Sequence, residues 1–90
     1  MESVKDSVQI PVDITGRYAH RIIYAIQPLK SSIFISHDGR TINAKSILGI
    51  LSLQLKHKDI VDINCYGENS KQIEEDLEFV SKFITNIENN

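Results

Sequence analysis

Hydrophobic and polar residues alternate near the start of the chain. Apolar residues occupy every second position of the segment 8–14, from Val8 to Ile14, with Gln9, Pro11 and Asp13 between them. A period of two predicts a β-strand with one buried side. Because a proline nitrogen cannot donate to a strand ladder, Pro11 further predicts that this strand lies at a sheet edge.

Two more segments have strand character and flank a turn. Ile33–Ser36 and Arg40–Asn43 are short β-like runs, and Asp38-Gly39 lies between them. Asp-Gly between two such runs is a strong signal for a β-hairpin. The segment 61–66 alternates again and stops at Gly67, which predicts a fourth strand.

Helical spacing separates these strands. Residues 18–29 carry isoleucines on one face and predict a first helix. Ser46 stands before the apolar run 47–51 and can cap a short second helix. Asn69 can cap a third helix, with Gln72 completing a capping box.

The order β-α-β-β-α-β-α predicts a single α+β domain over residues 1–90, with a four-stranded antiparallel sheet and three helices on one face. The expected core is Val8, Ile10, Val12, Ile63, Cys65, Ile73, Leu77, Val80 and Ile84.

Composition limits the classes of partner. The net charge is −2 and charged residues make up 24% of the chain, which gives no field for capturing nucleic acid or an anionic membrane. The acidic run Glu74, Glu75, Asp76 and Glu78 is interpreted as a solvated helix face. No apolar stretch approaches the roughly 18 residues of a membrane span. We therefore expect a soluble cytoplasmic protein.

The reactive side chains suggest no cofactor chemistry. Cys65 lies alone in an apolar run, so we expect a small buried side chain. His37 and His57 fall in turns without ligand-like neighbours, and no metal site is expected. The sequence has no glycine-rich phosphate loop. We therefore expect neither a cofactor nor an independent enzyme.

One segment resembles a known family. Residues 38–53 read Asp-Gly-Arg-Thr-Ile-Asn-Ala-Lys-Ser-Ile-Leu-Gly-Ile-Leu-Ser-Leu. This closely resembles the central motif of the HPr phosphocarrier family, with Ser46 and Gly49 in place. The resemblance implies an open-faced β-sandwich with strand order 1-4-2-3. Proteins of this family relay phosphate from phosphoenolpyruvate, through enzyme I, to sugar permeases.

The resemblance also locates the position of the carrier histidine. The family motif is Gly-(Ile/Leu)-His-Ala-Arg-Pro, whereas residues 16–21 read Gly-Arg-Tyr-Ala-His-Arg. Tyr18 therefore stands where the histidine should be, His20 where the arginine should be, and Arg21 where the proline should be. A phenol is no nucleophile at neutral pH without activation. We expect no competent histidine relay, although His20 stays open as a displaced carrier because the segment before Ser46 is shorter than usual in the family.

The resemblance implies a second site at Ser46. In many family members the matching serine is phosphorylated by HPr kinase/phosphorylase, and the product binds catabolite control protein A. The Crh branch keeps this serine and lacks the histidine, as here.

We expect a monomeric regulatory protein of the phosphotransferase system and carbon catabolite control. Its expected partners are proteins (HPr kinase/phosphorylase, and catabolite control protein A or enzyme I), and we expect no direct nucleic-acid or membrane binding. The expected docking residues are Tyr18, His20, Arg21, Ile47, Leu48 and Leu51. The alternatives are a phosphocarrier using His20, and an interaction module without phosphorylation.

Overall fold

A four-stranded antiparallel sheet forms one layer of the molecule in the computed structural model, which describes residues 1–89. The strands, in spatial order β1-β4-β2-β3, are β1 (Glu2–Gln9), β2 (Ser32–His37), β3 (Arg40–Asn43) and β4 (Ile60–Gly67). This order and the α+β open-faced architecture confirm the prediction. The central strand β4 is apolar on its inner side because Val61, Ile63 and Cys65 are fully buried there.

Three α-helices form the second layer. They are α1 (Gly16–Ile26), α2 (Ile47–Ser52) and α3 (Ser70–Thr85), and a short 3-10 helix follows at Ile87–Asn89. Helix α3 packs on β1 and β4, while α2 packs on α1 and β3. Within residues 1–89, no helix combines the length and apolarity needed to cross a membrane.

The first strand does not follow the predicted alternation. β1 ends at Gln9, and the predicted residues 10–14 form a loop instead. Ile10 and Ile14 are nevertheless buried, and their amides donate to the Asp59 and Leu55 carbonyls at 2.7 and 2.9 Å. The alternation therefore reflects burial of a loop at the end of the sheet. β1 does lie at the sheet edge, although Pro11 is outside it.

The core contains most of the predicted residues. Ile10, Ile63, Cys65, Val80 and Ile84 are buried, as is Ile73. The remaining predicted side chains are only partly buried and pack against the outside of this cluster. These three residues are Val8, Val12 and Leu77. They lie at or near the β1 edge, where no further strand covers them.

Local signals in the turns and caps are confirmed with one exception. Asp38 and Gly39 both have positive φ, at 52° and 81°, as a tight hairpin turn requires. Asn69 accepts a hydrogen bond from the Gln72 amide at 3.0 Å and so caps α3. The Gln72 side chain does not complete a capping box, however, because its amide nitrogen donates to Asp76 at 2.9 Å.

Asp76 corrects the interpretation of the acidic run. Its side chain is 3% exposed and therefore does not lie on a solvated helix face. One carboxylate oxygen accepts from the Ser31 hydroxyl and amide, and the other accepts from Gln72. A buried carboxylate needs such donors, since burying an unpaired charge is costly. Asp76 thus joins α3 to the start of β2.

Candidate functional site

The predicted regulatory serine begins helix α2. Ser46 has extended backbone geometry, and its Oγ accepts a hydrogen bond from the Gly49 amide at 3.0 Å. This is the usual geometry of an N-cap serine, which satisfies one otherwise unpaired amide of the first turn. The side chain is only partly buried. Its hydroxyl is therefore close to the molecular surface while it stabilises the helix.

Helix α2 divides its apolar residues between the core and the surface. Ile50 is buried and Ile47 is partly buried, whereas Leu48 is 76% exposed and Leu51 lies at the border of exposure. Of the predicted docking residues on this helix, Leu48 and Leu51 therefore reach the surface, while Ile47 is partly buried. Leu48, two residues after Ser46, thus exposes an apolar side chain to water, and this exposure is unfavourable.

Close packing fixes the position of α2 against β3. A Cβ on Gly49 would lie 3.2 Å from the Ile42 Cβ and 3.3 Å from the Asn43 carbonyl oxygen. Glycine thus lets the first turn of α2 approach the strand. Arg40 holds the other end of the helix, because its guanidinium donates to the Ser52 carbonyl at 2.7 Å. The serine is consequently presented from a helix that is fixed at both ends.

Two hydrogen bonds join the end of α1 to the segment that precedes Ser46. The Gln27 side-chain amide donates to the Lys45 carbonyl at 3.3 Å. The Lys45 ammonium group in turn donates to the Leu29 carbonyl. These bonds place the C-terminal end of α1 beside the serine. The second bond also holds the ammonium group of Lys45, the residue next to Ser46 in sequence.

Tyr18 lies in the first turn of α1 between two arginines. The guanidinium carbons of Arg17 and Arg21 are 5.8 and 5.6 Å from the centre of the Tyr18 ring. Both distances fall within the range of cation–π contacts. The ring is partly buried against the core cluster. The position predicted to match the carrier histidine thus holds a packed aromatic side chain.

His20 lies two residues further along α1 and is exposed. It lines a shallow depression with Ile23, Tyr24, Gln27 and Pro28. Tyr24 was not predicted as a site residue, yet it is 87% exposed and lies one turn after His20. The sequence contains a signal for Tyr24 as a site residue. An aromatic residue four positions after a histidine lies beside it on a helix, and here both lie off the face formed by the isoleucines.

The other candidate chemical groups are structural. Cys65 is fully buried, and burial raises the pKa of its thiol from 9.0 to about 11, with a further upward contribution from Asp76. The His37 ring contacts the Ile60 carbonyl at 3.1 Å and the Asp59 carboxylate at 3.5 Å. Across residues 1–89, no three histidine, cysteine or acidic side chains form a group that could hold a metal ion.

Comparisons with known proteins agree with this architecture. The family model described as "PTS HPr component phosphorylation site" matches residues 4–84. HPr-like protein Crh of Bacillus subtilis (strain 168) is 29% identical over 77 residues, which cover 86% of this chain and 91% of that protein. Crh of Halalkalibacterium halodurans is 29% identical over 70 residues, or 78% of this chain and 83% of that protein.

Solved structures give the same assignment. The crystal structure of phosphocarrier protein HPr from Bacillus anthracis str. Ames matches with a TM-score of 0.84 and 30% identity, covering 93% of this chain and 99% of that chain. The crystal structure of Bacillus subtilis Crh, described as a dimer with a swapped domain, matches with a TM-score of 0.71 and 27% identity over 93% of each chain. On its sequence motif, strand order and family match, this chain belongs to the HPr family of the phosphotransferase system.

Proposed function

We propose that this chain is an HPr/Crh-like regulatory protein of carbon catabolite control that is phosphorylated on Ser46 and is not a competent histidine phosphocarrier. The observation that carries the proposal is the position of Ser46, whose partly buried hydroxyl begins α2 two residues before the exposed Leu48. The protein acts as a cytoplasmic monomeric domain and as a substrate of a kinase, not as an enzyme.

Phosphorylation of Ser46 changes docking without unfolding the chain. A phosphate adds about −1.5 to −2 charge and three acceptor oxygens at pH 7. The Gly49 amide already donates to the serine oxygen, so the modified group keeps a donor. Lys45 is held at Leu29 and does not have to leave that contact. The phosphate therefore faces the partner, which should offer arginines for it and an apolar surface for Leu48.

The start of α1 is poorly suited to the family's relay. Tyr18 offers a phenol where the family uses an imidazole, and Arg17 and Arg21 are stacked on its ring. A phosphohistidine at a helix start is stabilised by the free amides of the first turn. The amides of the first turn of α1 are present here, but a tyrosine stands at the expected position of the acceptor. Docking through this end of α1 with the predicted residues Tyr18, His20 and Arg21 stays part of the proposal.

A phosphocarrier that uses His20 is the second candidate. Its supporting observation is that His20 is exposed beside the shallow depression on α1. His20 is the fifth residue of the helix, however, and lies beyond the first-turn amides that have no intrahelical partner. A phosphate on His20 would lack those donors, which favours the regulatory function.

Treatment with HPr kinase/phosphorylase and ATP tests the regulatory function directly. Intact-mass and peptide mass spectrometry should place one phosphate on Ser46 in the wild type and none in Ser46→Ala. Ser52→Ala is the matched control, because Ser52 is an exposed hydroxyl at the other end of the same helix. Ser52→Ala should accept phosphate as the wild type does. An unmodified Ser46 would leave an HPr-fold interaction module as the better description.

Partner capture then tests whether the phosphate matters. Bare and kinase-treated protein should differ in binding to catabolite control protein A, and the difference should disappear in Ser46→Ala. Ser46→Asp is an imperfect mimic because it carries less charge and fewer oxygens. The phosphorylated wild type is therefore the decisive sample. Equal capture of the bare and phosphorylated forms would contradict regulation at this serine.

A further inference from the structure

The strand β1 is a long edge strand with one unpaired side. Within residues 1–89 it pairs only with β4, over its full length Glu2–Gln9. The strand at the opposite edge of the sheet, β3, has only four residues. A long open edge offers a row of amides and carbonyls to which another chain can add a strand. A monomeric protein, as proposed above, therefore needs a feature that keeps a second copy from pairing with β1.

The backbone groups of alternate residues face this open edge. In an antiparallel ladder, one residue directs its amide and carbonyl to the neighbouring strand, and the next residue directs both away from it. Ile10, directly after β1, bonds through both groups to Lys58 and Asp59 on the β4 side, at 2.7 Å each. The Ser7 amide instead donates to the Asp6 carboxylate at 2.9 Å. The edge amides are therefore those of Ser3, Lys5, Ser7 and Gln9.

Asp6 is a charged residue on the inward side of this edge strand. Its partner in the ladder is Ile63, which is fully buried beneath the helices. Its neighbours on the same side, Val4 and Val8, are partly buried against the core, whereas Asp6 is exposed. A valine at this position would bury more apolar surface than a carboxylate does. The stability of the single domain therefore does not explain the aspartate.

Asp6 opposes pairing at the edge in two ways. Its carboxylate already accepts from the Ser7 amide, so an incoming strand would have to compete for that donor. A second copy that paired through β1 by two-fold symmetry would also bring its own Asp6. Both carboxylates would then lie on the inward side of the joined sheet, where they lose hydration and place two like charges in one row. We propose that Asp6 keeps this chain monomeric by making the open edge of β1 unfavourable for pairing with a second copy.

Asp6→Val tests the proposal, because it removes the charge, releases the Ser7 amide and completes an apolar row with Val4 and Val8. Valine is well suited to a strand, so the variant should fold, and urea unfolding checks that it does. Sedimentation velocity should show a monomeric wild type, and a variant whose dimer fraction rises with protein concentration. Where the dimer predominates, hydrogen exchange of the edge amides should slow by about tenfold.

Two further variants separate the charge from the exposed apolar surface. Asp6→Asn removes the charge but keeps an oxygen that can accept from the Ser7 amide, so its dimer fraction should lie between those of the wild type and Asp6→Val. The matched control is Glu75→Val, which replaces an exposed carboxylate of α3 by the same valine. Because Glu75 is not on the strand edge, this variant should stay monomeric.

The possible failures are distinguishable from one another. A monomeric Asp6→Val, equal dimerisation of Glu75→Val, or a dimer without slower exchange of the edge amides would overturn the role of Asp6. None of these results would affect the proposed phosphorylation of Ser46. A wild type that is already a dimer with slowly exchanging edge amides would overturn the role of Asp6 and the proposed monomeric state together.

Discussion

The hydroxyl of Ser31 and the carboxylate of Asp76 meet at 2.5 Å in the buried layer between β2 and α3. The same carboxylate oxygen accepts from the Ser31 amide at 3.2 Å. Forty-five positions separate the two residues along the chain. The contact therefore fixes where the chain leaves α1 relative to the helix that covers the sheet.

Replacing Asp76 by alanine should destabilise the fold strongly. The variant leaves the Ser31 hydroxyl and amide and the Gln72 side chain without their acceptor, and an unpaired buried donor costs about 1–3 kcal/mol. We expect a loss of roughly 2–4 kcal/mol in the free energy of unfolding by urea denaturation. The neighbouring exposed Glu75→Ala should change it by less than about 0.5 kcal/mol. Equal effects of the two variants would contradict the buried network.

The acidic run shows what a sequence pattern resolves and what it does not. Glu74, Glu75 and Glu78 are exposed as the composition suggests, but Asp76 is buried. Helical periodicity placed Ile73, Val80 and Ile84 in the core correctly. It could not place Asp76, because the donors that make its burial possible come from Ser31, far away in the sequence.

The first strand shows the same limit in a different form. Apolar residues at every second position of 8–14 predicted a strand, and Ile10 and Ile14 are indeed buried. The ladder, however, pairs Glu2–Gln9 with the full length of β4 and stops where β4 begins. A period of two reports alternating burial, and which residues pair is decided by the partner strand. The hairpin at Asp38-Gly39 was predictable because its signal is local.

Two substitutions in α3 should separate full from partial burial. Ile84 is fully buried, and Ile84→Ala should cost about 2–5 kcal/mol, as is usual for a core position. Leu77 is only partly buried at the β1 edge, so Leu77→Ala should cost less than about 2 kcal/mol. Urea unfolding of both variants provides the comparison. A larger loss for Leu77→Ala would mean that this edge is more tightly packed than the structure indicates.

Gly49→Ala should destabilise the protein despite the better helix propensity of alanine. Propensity alone would favour alanine by about 1 kcal/mol. The new Cβ would instead lie 3.2 Å from the Ile42 Cβ and 3.3 Å from a backbone oxygen, and neither can move easily. We expect a net loss of roughly 1–2 kcal/mol in thermal or urea unfolding. Gly16→Ala is the control, since no atom lies within 4 Å of its added Cβ, and it should be close to neutral.

Cys65 should make the stability fall at high pH. Burial raises the pKa of the folded thiol to about 11 from 9.0. Below pH 9 the thiol is protonated in both states and the effect of burial is fully present. Above pH 9 the unfolded chain releases its proton first, so stability decreases as the pH rises toward 11. Subtracting the pH profile of Cys65→Ala from that of the wild type isolates this slope.

The same burial should protect the thiol from alkylation. The thiolate is the nucleophile, and a buried thiol with a raised pKa forms little of it at pH 8. Native protein should react with a thiol reagent much more slowly than protein in urea. Fast reaction of the native protein would contradict the buried position of Cys65 and would identify the thiol as an accessible group.

Tyr18→His should restore little phosphotransfer from enzyme I. The family's relay needs an arginine two residues after the acceptor and a proline after that, and the sequence resemblance predicts that His20 and Arg21 occupy those positions here. Without the arginine, the phosphoryl group loses its charge-assisted hydrogen bonds and keeps only the helix amides.

The triple variant Tyr18→His/His20→Arg/Arg21→Pro should gain acid-labile phosphate from labelled phosphoenolpyruvate well above both the wild type and Tyr18→His. His20→Ala in the Tyr18→His background controls for transfer to His20. Efficient transfer to the single variant would show that the acceptor alone was missing, and phosphate on His20 of the wild type would favour the displaced carrier.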